Sequence, residues 1–129
     1  MRGFCLGLAM VALCGSAAAA GDARMIRSLQ RLDPNERLMQ LCDITAMSEI
    51  GRSAKGMRPD RAMLNALSPP KVDGNVAKGD GGAFRSKGLW YQFAFTCATR
   101  PDRLKVLTFT YQLGNPIPRQ SWSTLGLWE

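Results

Sequence analysis

The chain contains no histidine. That absence removes the commonest general base near neutral pH. Ser–His and Cys–His nucleophile activation and histidine-ligated zinc go with it. Acids are also scarce: 10 Asp and Glu stand against 17 Lys and Arg, a formal net charge of +7. Such a balance suits anionic partners (phosphorylated lipid, polysaccharide, acidic protein faces) as well as plain solubility. Long apolar runs are missing too. A bilayer needs about 20 apolar residues, and the longest run, residues 4–14, is about half that.

What that short run does resemble is the core of a signal peptide. Arg2 precedes it, and Gly15, Ser16 and the alanines 17–20 follow. Ala18 and Ala20 supply the small side chains needed for cleavage before Gly21, so residues 1–20 are expected to be a cleavable leader. Cleavage one residue earlier fits equally well. The alternatives are an uncleaved anchor or a buried core helix, and a lipoprotein acylated at Cys14, which Leu13 disfavours. Export leaves residues 21–32 as a basic, partly apolar lead-in and 33–129 as a single domain. No transmembrane segment is expected after cleavage.

Only Cys42 and Cys97 remain of the four cysteines once the leader is gone. In an oxidising compartment the pair is expected to form a disulfide, with two reduced core thiols as the alternative. The bridge would close a loop of about 55 residues, which the chain-entropy model values at roughly 4 kcal/mol.

Asp33, Pro34 and Glu36 form a helix-start signal. They predict a main helix over 34–50, ended by Gly51, with Leu38, Leu41, Cys42 and Thr45 on its inner face. Pro59 and Asp60 predict a second short helix over 59–67, using Ala62, Met63, Ala66 and Leu67, stopped at Ser68-Pro69-Pro70. After Lys71 the period becomes extended. Residues 72–78 read as a weak strand, Gly79-Asp80-Gly81-Gly82 as a loop, and 83–87 as a second short strand.

Residues 89–98 give the strongest strand. Leu89, Tyr91, Phe93, Phe95 and Cys97 share one face, while Trp90, Gln92, Ala94, Thr96 and Ala98 share the other. Arg100-Pro101-Asp102 reads as a turn, and 104–113 as the partner strand. Matching apolar faces suggests Phe95 opposite Leu107 and Phe93 opposite Phe109. Asn115-Pro116-Ile117-Pro118 should break that strand, with one helical turn over 121–125. The expected fold is α+β: N-terminal helices on a small antiparallel sheet, the main helix tied to a core strand by Cys42–Cys97.

Chemistry-bearing patterns are sparse. Lys78, Arg85 and Lys87 surround a glycine-rich stretch that lacks the order of a P-loop, so a mobile hairpin loop is the plain alternative to an anion site. Trp90 follows those cations and makes Lys78, Arg85, Lys87 and Trp90 the candidate binding surface, with Lys105 nearby. Tyr91 is expected in the core, and Trp90 outside it or under a terminal segment. Asp73 and Asp80 are loop carboxylates, and Asp43 and Glu49 lie on the main helix, but nothing in the sequence brings an acid pair together. The methionines at 25, 39, 47, 57 and 63 are too scattered for a copper(I) cluster. No catalytic set, metal or cofactor is expected, and export argues against nucleic acid.

Leu41-Cys42-Asp43, Ala66-Leu67-Ser68-Pro69-Pro70, Ala83-Phe84-Arg85-Ser86-Lys87-Gly88, Trp90-Tyr91, Phe95-Thr96-Cys97, Gly114-Asn115-Pro116-Ile117-Pro118 and Trp122 form a distinctive set. Together they make the chain resemble an uncharacterised family of exported bacterial proteins, catalogued as domain of unknown function 930. The resemblance begins near Asp33 and runs to the end. It implies a periplasmic setting in a Gram-negative bacterium and implies no activity. The reading is then a periplasmic, disulfide-bonded binding or protein-interaction module for an envelope protein or anionic envelope component. Alternatives are a structural protein held to anionic lipid or polysaccharide by charge, and a carboxylate-dependent enzyme acting on envelope polymers.

Overall fold

A computed structural model describes residues 16–129, with side chains from Asp22 onward. The apolar core of the expected leader lies outside the described residues. Helix α1, Ser16–Gln30, spans the position expected for cleavage. No helix among the described residues is long and apolar enough to cross a membrane.

Helix α2, Pro34–Ser53, starts as the sequence dictates. The Asp33 carboxylate accepts from the N–H groups of Asn35 (3.0 Å) and Glu36 (3.1 Å), and the Glu36 bond holds its pKa below the usual range. The helix ends later than expected, because Gly51 stays helical. A Cβ there would make only an ordinary contact with Pro59 Cδ at 3.4 Å, so the position does not require glycine, and Gly56 (φ +80°) turns the chain instead. Leu38, Cys42, Ala46 and Ile50, spaced by four, are fully buried. Thr45, expected on that stripe, turns its hydroxyl back to the Leu41 carbonyl.

Five antiparallel strands follow: β1 (Pro59–Met63), β2 (Lys71–Asp73), β3 (Val76–Ser86), β4 (Leu89–Thr99) and β5 (Val106–Pro116). The sheet order is β1-β3-β4-β5, with β2 sharing the outer edge of β3. The α+β class and the helix-to-strand bridge hold. Cys42 on α2 is joined to Cys97 on β4 with Cα atoms 6.2 Å apart, closing 55 residues. The helix stripe packs on Phe84, Phe93, Phe95 and Cys97.

Several expectations are corrected. The helix over 59–67 is not formed, and residues 59–63 are a strand paired with β3. Pro59 has no N–H to offer a ladder and sits at the strand start, and the Arg58 N–H is taken by Ser86 Oγ at 2.8 Å. Alternate burial of Ala62 and Leu64 suits a strand, so long-range pairing overrides a locally helical sequence. The weak strand over 72–78 is two strands, folded back at Gly74 (φ +56°).

The glycine stretch is not a loop. It lies inside β3, with a register shift between Gly79 and Gly82. A Cβ on Gly81 would strike the backbone of Ser68 at 2.6 Å, and one on Gly82 would strike the Phe93 ring at 2.8 Å. These positions let a neighbouring segment and an aromatic ring cross the strand.

The β4–β5 register differs as well. Phe95 faces Tyr111, Phe93 faces Leu113 and Cys97 faces Phe109, a slide of four residues from the expected pairing. An even slide keeps every side chain on its face, so the apolar pattern cannot set the register. The connecting loop does. Its centre is Arg103 (φ +56°), whose guanidinium donates to the carbonyls of Pro34 (2.7 Å) and Gly74 (2.9 Å) and to Asn35 Oδ1 (3.0 Å). Strand β5 keeps Pro116, opposite Tyr91, and ends only there. A short 3-10 turn over Arg119–Ser121 starts the C-terminal segment, earlier than the expected turn.

Candidate functional site

Because β4 side chains alternate, its Cys97 face belongs to α2 and its Trp90 face is left to other occupants. At one end the C-terminal segment takes it. Trp90 is fully buried with Ala83, Ile117, Trp122 and Leu127. Its indole N–H donates to the Trp128 carbonyl at 2.8 Å, and the Trp128 ring stands edge-on to it at 5.4 Å. The Trp122 N–H is used by Ile117 O at 2.9 Å. Trp90 therefore lies under the terminal segment and shows no surface to solvent.

Arg85 belongs to the same construction. It lies across the ladder from Trp90, and its guanidinium sits 5.9 Å from the ring centres of both Trp90 and Trp128. Asp60 on β1 grips it in a two-pronged pair, Nε to Oδ1 at 2.9 Å and Nη2 to Oδ2 at 2.7 Å. This bond holds the Asp60 carboxyl below its usual pKa and raises that of Arg85. With its side chain 12% exposed, Arg85 ties β1 to the tryptophan cluster. Lys87 is exposed on the β3–β4 hairpin, where Lys87 (φ +51°) and Gly88 (φ +79°) form the two-residue turn between Ser86 and Leu89.

Lys78 is elsewhere. It faces Thr96, seven residues along β3 from Arg85 and so roughly 20 Å away at strand rise. The structure does not assemble the four candidate residues into one surface. At the Lys78 end the sheet face is open. A concavity of about 590 Å³ lies there, bordered by Lys78, Asp80, Ala94, Thr96, Thr110 and Gln112. Lys78, Thr96 and Thr110 form one straight row across three strands.

The row extends further. Lys71 on β2 faces Lys78 directly, and the two border a second depression of about 290 Å³ with Asp73 and Val76. Like charges directly across a ladder repel. Among the described residues neither lysine makes an ion pair with an acid. Of these residues the sequence marks only Lys78; Lys71, Thr96, Thr110 and Gln112 join it through strand pairing. The overlooked signal was Gly74-Asn75 between short polar–apolar alternations, a two-residue hairpin pattern.

The acids are dispersed. Asp73 is opposite Val76, four residues along β3 from Asp80, a separation of roughly 13 Å. Glycosidase pairs sit about 5–10 Å apart. Glu49 is engaged with Arg52 at 2.6 Å. Asp43 is half-buried and accepts the Leu64 N–H at 2.9 Å, holding the chain just after β1. Burial pushes its carboxyl up to about 7, against the opposing effect of that bond. It does not border the concavity. Among the described residues no group of three or more His, Cys, Asp or Glu is placed to hold a metal ion.

These features define a small α+β protein with a disulfide-anchored helix on one sheet face, and on the other a tryptophan-sealed end beside an open polar end that carries Lys71 and Lys78 with Asp73 and Asp80. The chain belongs to the family described as Domain of Unknown Function (DUF930), whose model matches residues 29–127. That match takes in α2, the whole sheet and the C-terminal segment as far as Leu127. No curated protein and no solved structure matches the chain.

Proposed function

We propose that this is a periplasmic binding module, exported by residues 1–20, that holds an anionic, hydroxyl-rich envelope component on its open sheet face. The observation that carries the reading is the Lys71–Lys78 opposition at the margin of the 590 Å³ concavity. Two cations kept face to face cost stability, and an anion between them removes that cost. Thr96, Thr110 and Gln112 offer hydroxyl and amide groups along the same face, and the Asp80 carboxylate offers an acceptor for ligand hydroxyls. The ligand class is accordingly a phosphorylated or carboxylated saccharide. The tryptophan end is a scaffold for this face, since Arg85 and Trp90 are already engaged there.

An amide-resolved NMR titration with a phosphorylated oligosaccharide, and with the same sugar after phosphatase treatment, tests the reading. Shifts should gather at Lys71, Lys78, Thr96 and Thr110 and should need the phosphate. Lys71→Ala/Lys78→Ala should weaken binding at least tenfold. Shifts gathered around Lys87 would move the site to the opposite end. Binding spread evenly over the surface and abolished by salt would favour general charge attraction to the envelope.

A further inference from the structure

Strand β5 is the free edge of the sheet. Among the described residues Val106–Pro116 pairs with β4 and nothing else. Its eleven residues, VLTFTYQLGNP, carry no charge, in a chain of net charge +7. Leu107 is 59% exposed and Leu113 43%. Natural sheets guard their edges with charges, proline, short strands or bulges. The opposite edge follows that rule: β1 and β2 are short and carry Asp60, Arg61, Lys71 and Asp73. On β5 the register shifts only near the two ends, which leaves Thr108–Leu113 regular and unguarded.

The backbone of that stretch can be oriented. On β4 the Trp90 carbonyl and the Arg100 N–H both point toward the β5 side, to Ile117 N (2.8 Å) and Lys105 O (3.0 Å). Even-numbered β4 residues thus bond inward to Thr108, Thr110 and Gln112, their partners on β5. The N–H and C=O groups of Phe109, Tyr111 and Leu113 are left pointing outward.

We propose that two copies of this chain pair antiparallel through their β5 edges, about a two-fold axis at Thr110. That register sets Phe109 of each copy against Tyr111 of the other, so the outward groups meet. It also brings Leu107, the unpaired residue of the bulge next to Thr108, beside Leu113 of the other copy, covering both exposed leucines. The match is self-complementary, as a two-fold interface requires. Neutrality argues for a second copy as the occupant, because two basic molecules repel least where they approach along an uncharged strand. The concavity ends at Thr110 and Gln112 on this edge, so pairing joins two concavities into one longer trough. The proposal stands whether or not the saccharide reading does. One strand pair is a small interface, which fits a dissociation constant on the order of 10 µM.

Sedimentation equilibrium of the disulfide-bonded chain, from about 1 to 500 µM, should show a monomer–dimer equilibrium near that constant. Hydrogen exchange at the Phe109 and Tyr111 amides should slow as concentration rises. L107K/L113K and L107E/L113E should each be monomeric with unchanged circular dichroism, and their equimolar mixture should dimerise again. A wild-type chain monomeric throughout, exchange at those amides independent of concentration, or dimers that survive in both variants would each overturn the proposal. A mixture that stays monomeric would overturn the Thr110 register.

Discussion

Lys71 stands directly across the β2–β3 ladder from Lys78, and no acid pairs with either among the described residues. A ladder selected for stability alone would place opposite charges there. Lys71→Glu is therefore expected to stabilise the fold by about 0.5 kcal/mol, read as a rise in the denaturation midpoint. The same change should weaken phosphosaccharide binding at least tenfold. Stability and binding moving in opposite directions mark a site. A Lys71→Glu protein that loses stability, or keeps full affinity, would remove this pair from the binding surface.

How far the fold was legible depends on which interactions were local. Asp33, Pro34 and Glu36 are near neighbours, and the helix start they imply is present. The alternation from Leu89 to Cys97 records two sheet faces, and those faces are correct. Residues 59–63 have a locally helical sequence, and nothing local states that Asp60 will meet Arg85, 25 positions away. The glycines of β3 looked like a loop because their purpose is to admit Ser68 and the Phe93 ring, neither of which is local. The candidate site was half legible for the same reason. Cations could be counted, but only pairing shows that Arg85 is spent on Asp60 and that Lys78 faces Lys71.

Lys87 adopts a left-handed backbone in the β3–β4 turn, a conformation that costs a lysine roughly 1 kcal/mol relative to glycine or asparagine. Followed by Gly88, asparagine completes the favoured two-residue hairpin sequence. Lys87→Asn should raise stability by about 0.5–1 kcal/mol in denaturant titration. It should leave binding at the Lys71–Lys78 end unchanged, because the turn lies at the other end of the sheet. Loss of binding in Lys87→Asn would restore the hairpin tip as a ligand contact.

Asp43 makes stability depend on pH in a direction opposite to the usual carboxylate. Its folded-state pKa, about 7, lies above the value near 3.8 that it has in the unfolded chain. Between those values the folded protein binds the proton more tightly than the unfolded chain does. The contribution is fully present below the unfolded value and is lost as pH rises through about 7, where the half-buried carboxylate must ionise. The Asp33 and Asp60 carboxyls have the opposite sign, since their pKa values are lowered and their stability is lost as pH falls. Asp43→Asn keeps an oxygen for the Leu64 N–H but cannot ionise. The variant should lose less stability than the wild type between pH 5 and about 7.5, so the difference between their unfolding free energies should shift in its favour as pH rises. Parallel curves over that interval would show that Asp43 ionises at an ordinary pKa and that burial does not hold its proton.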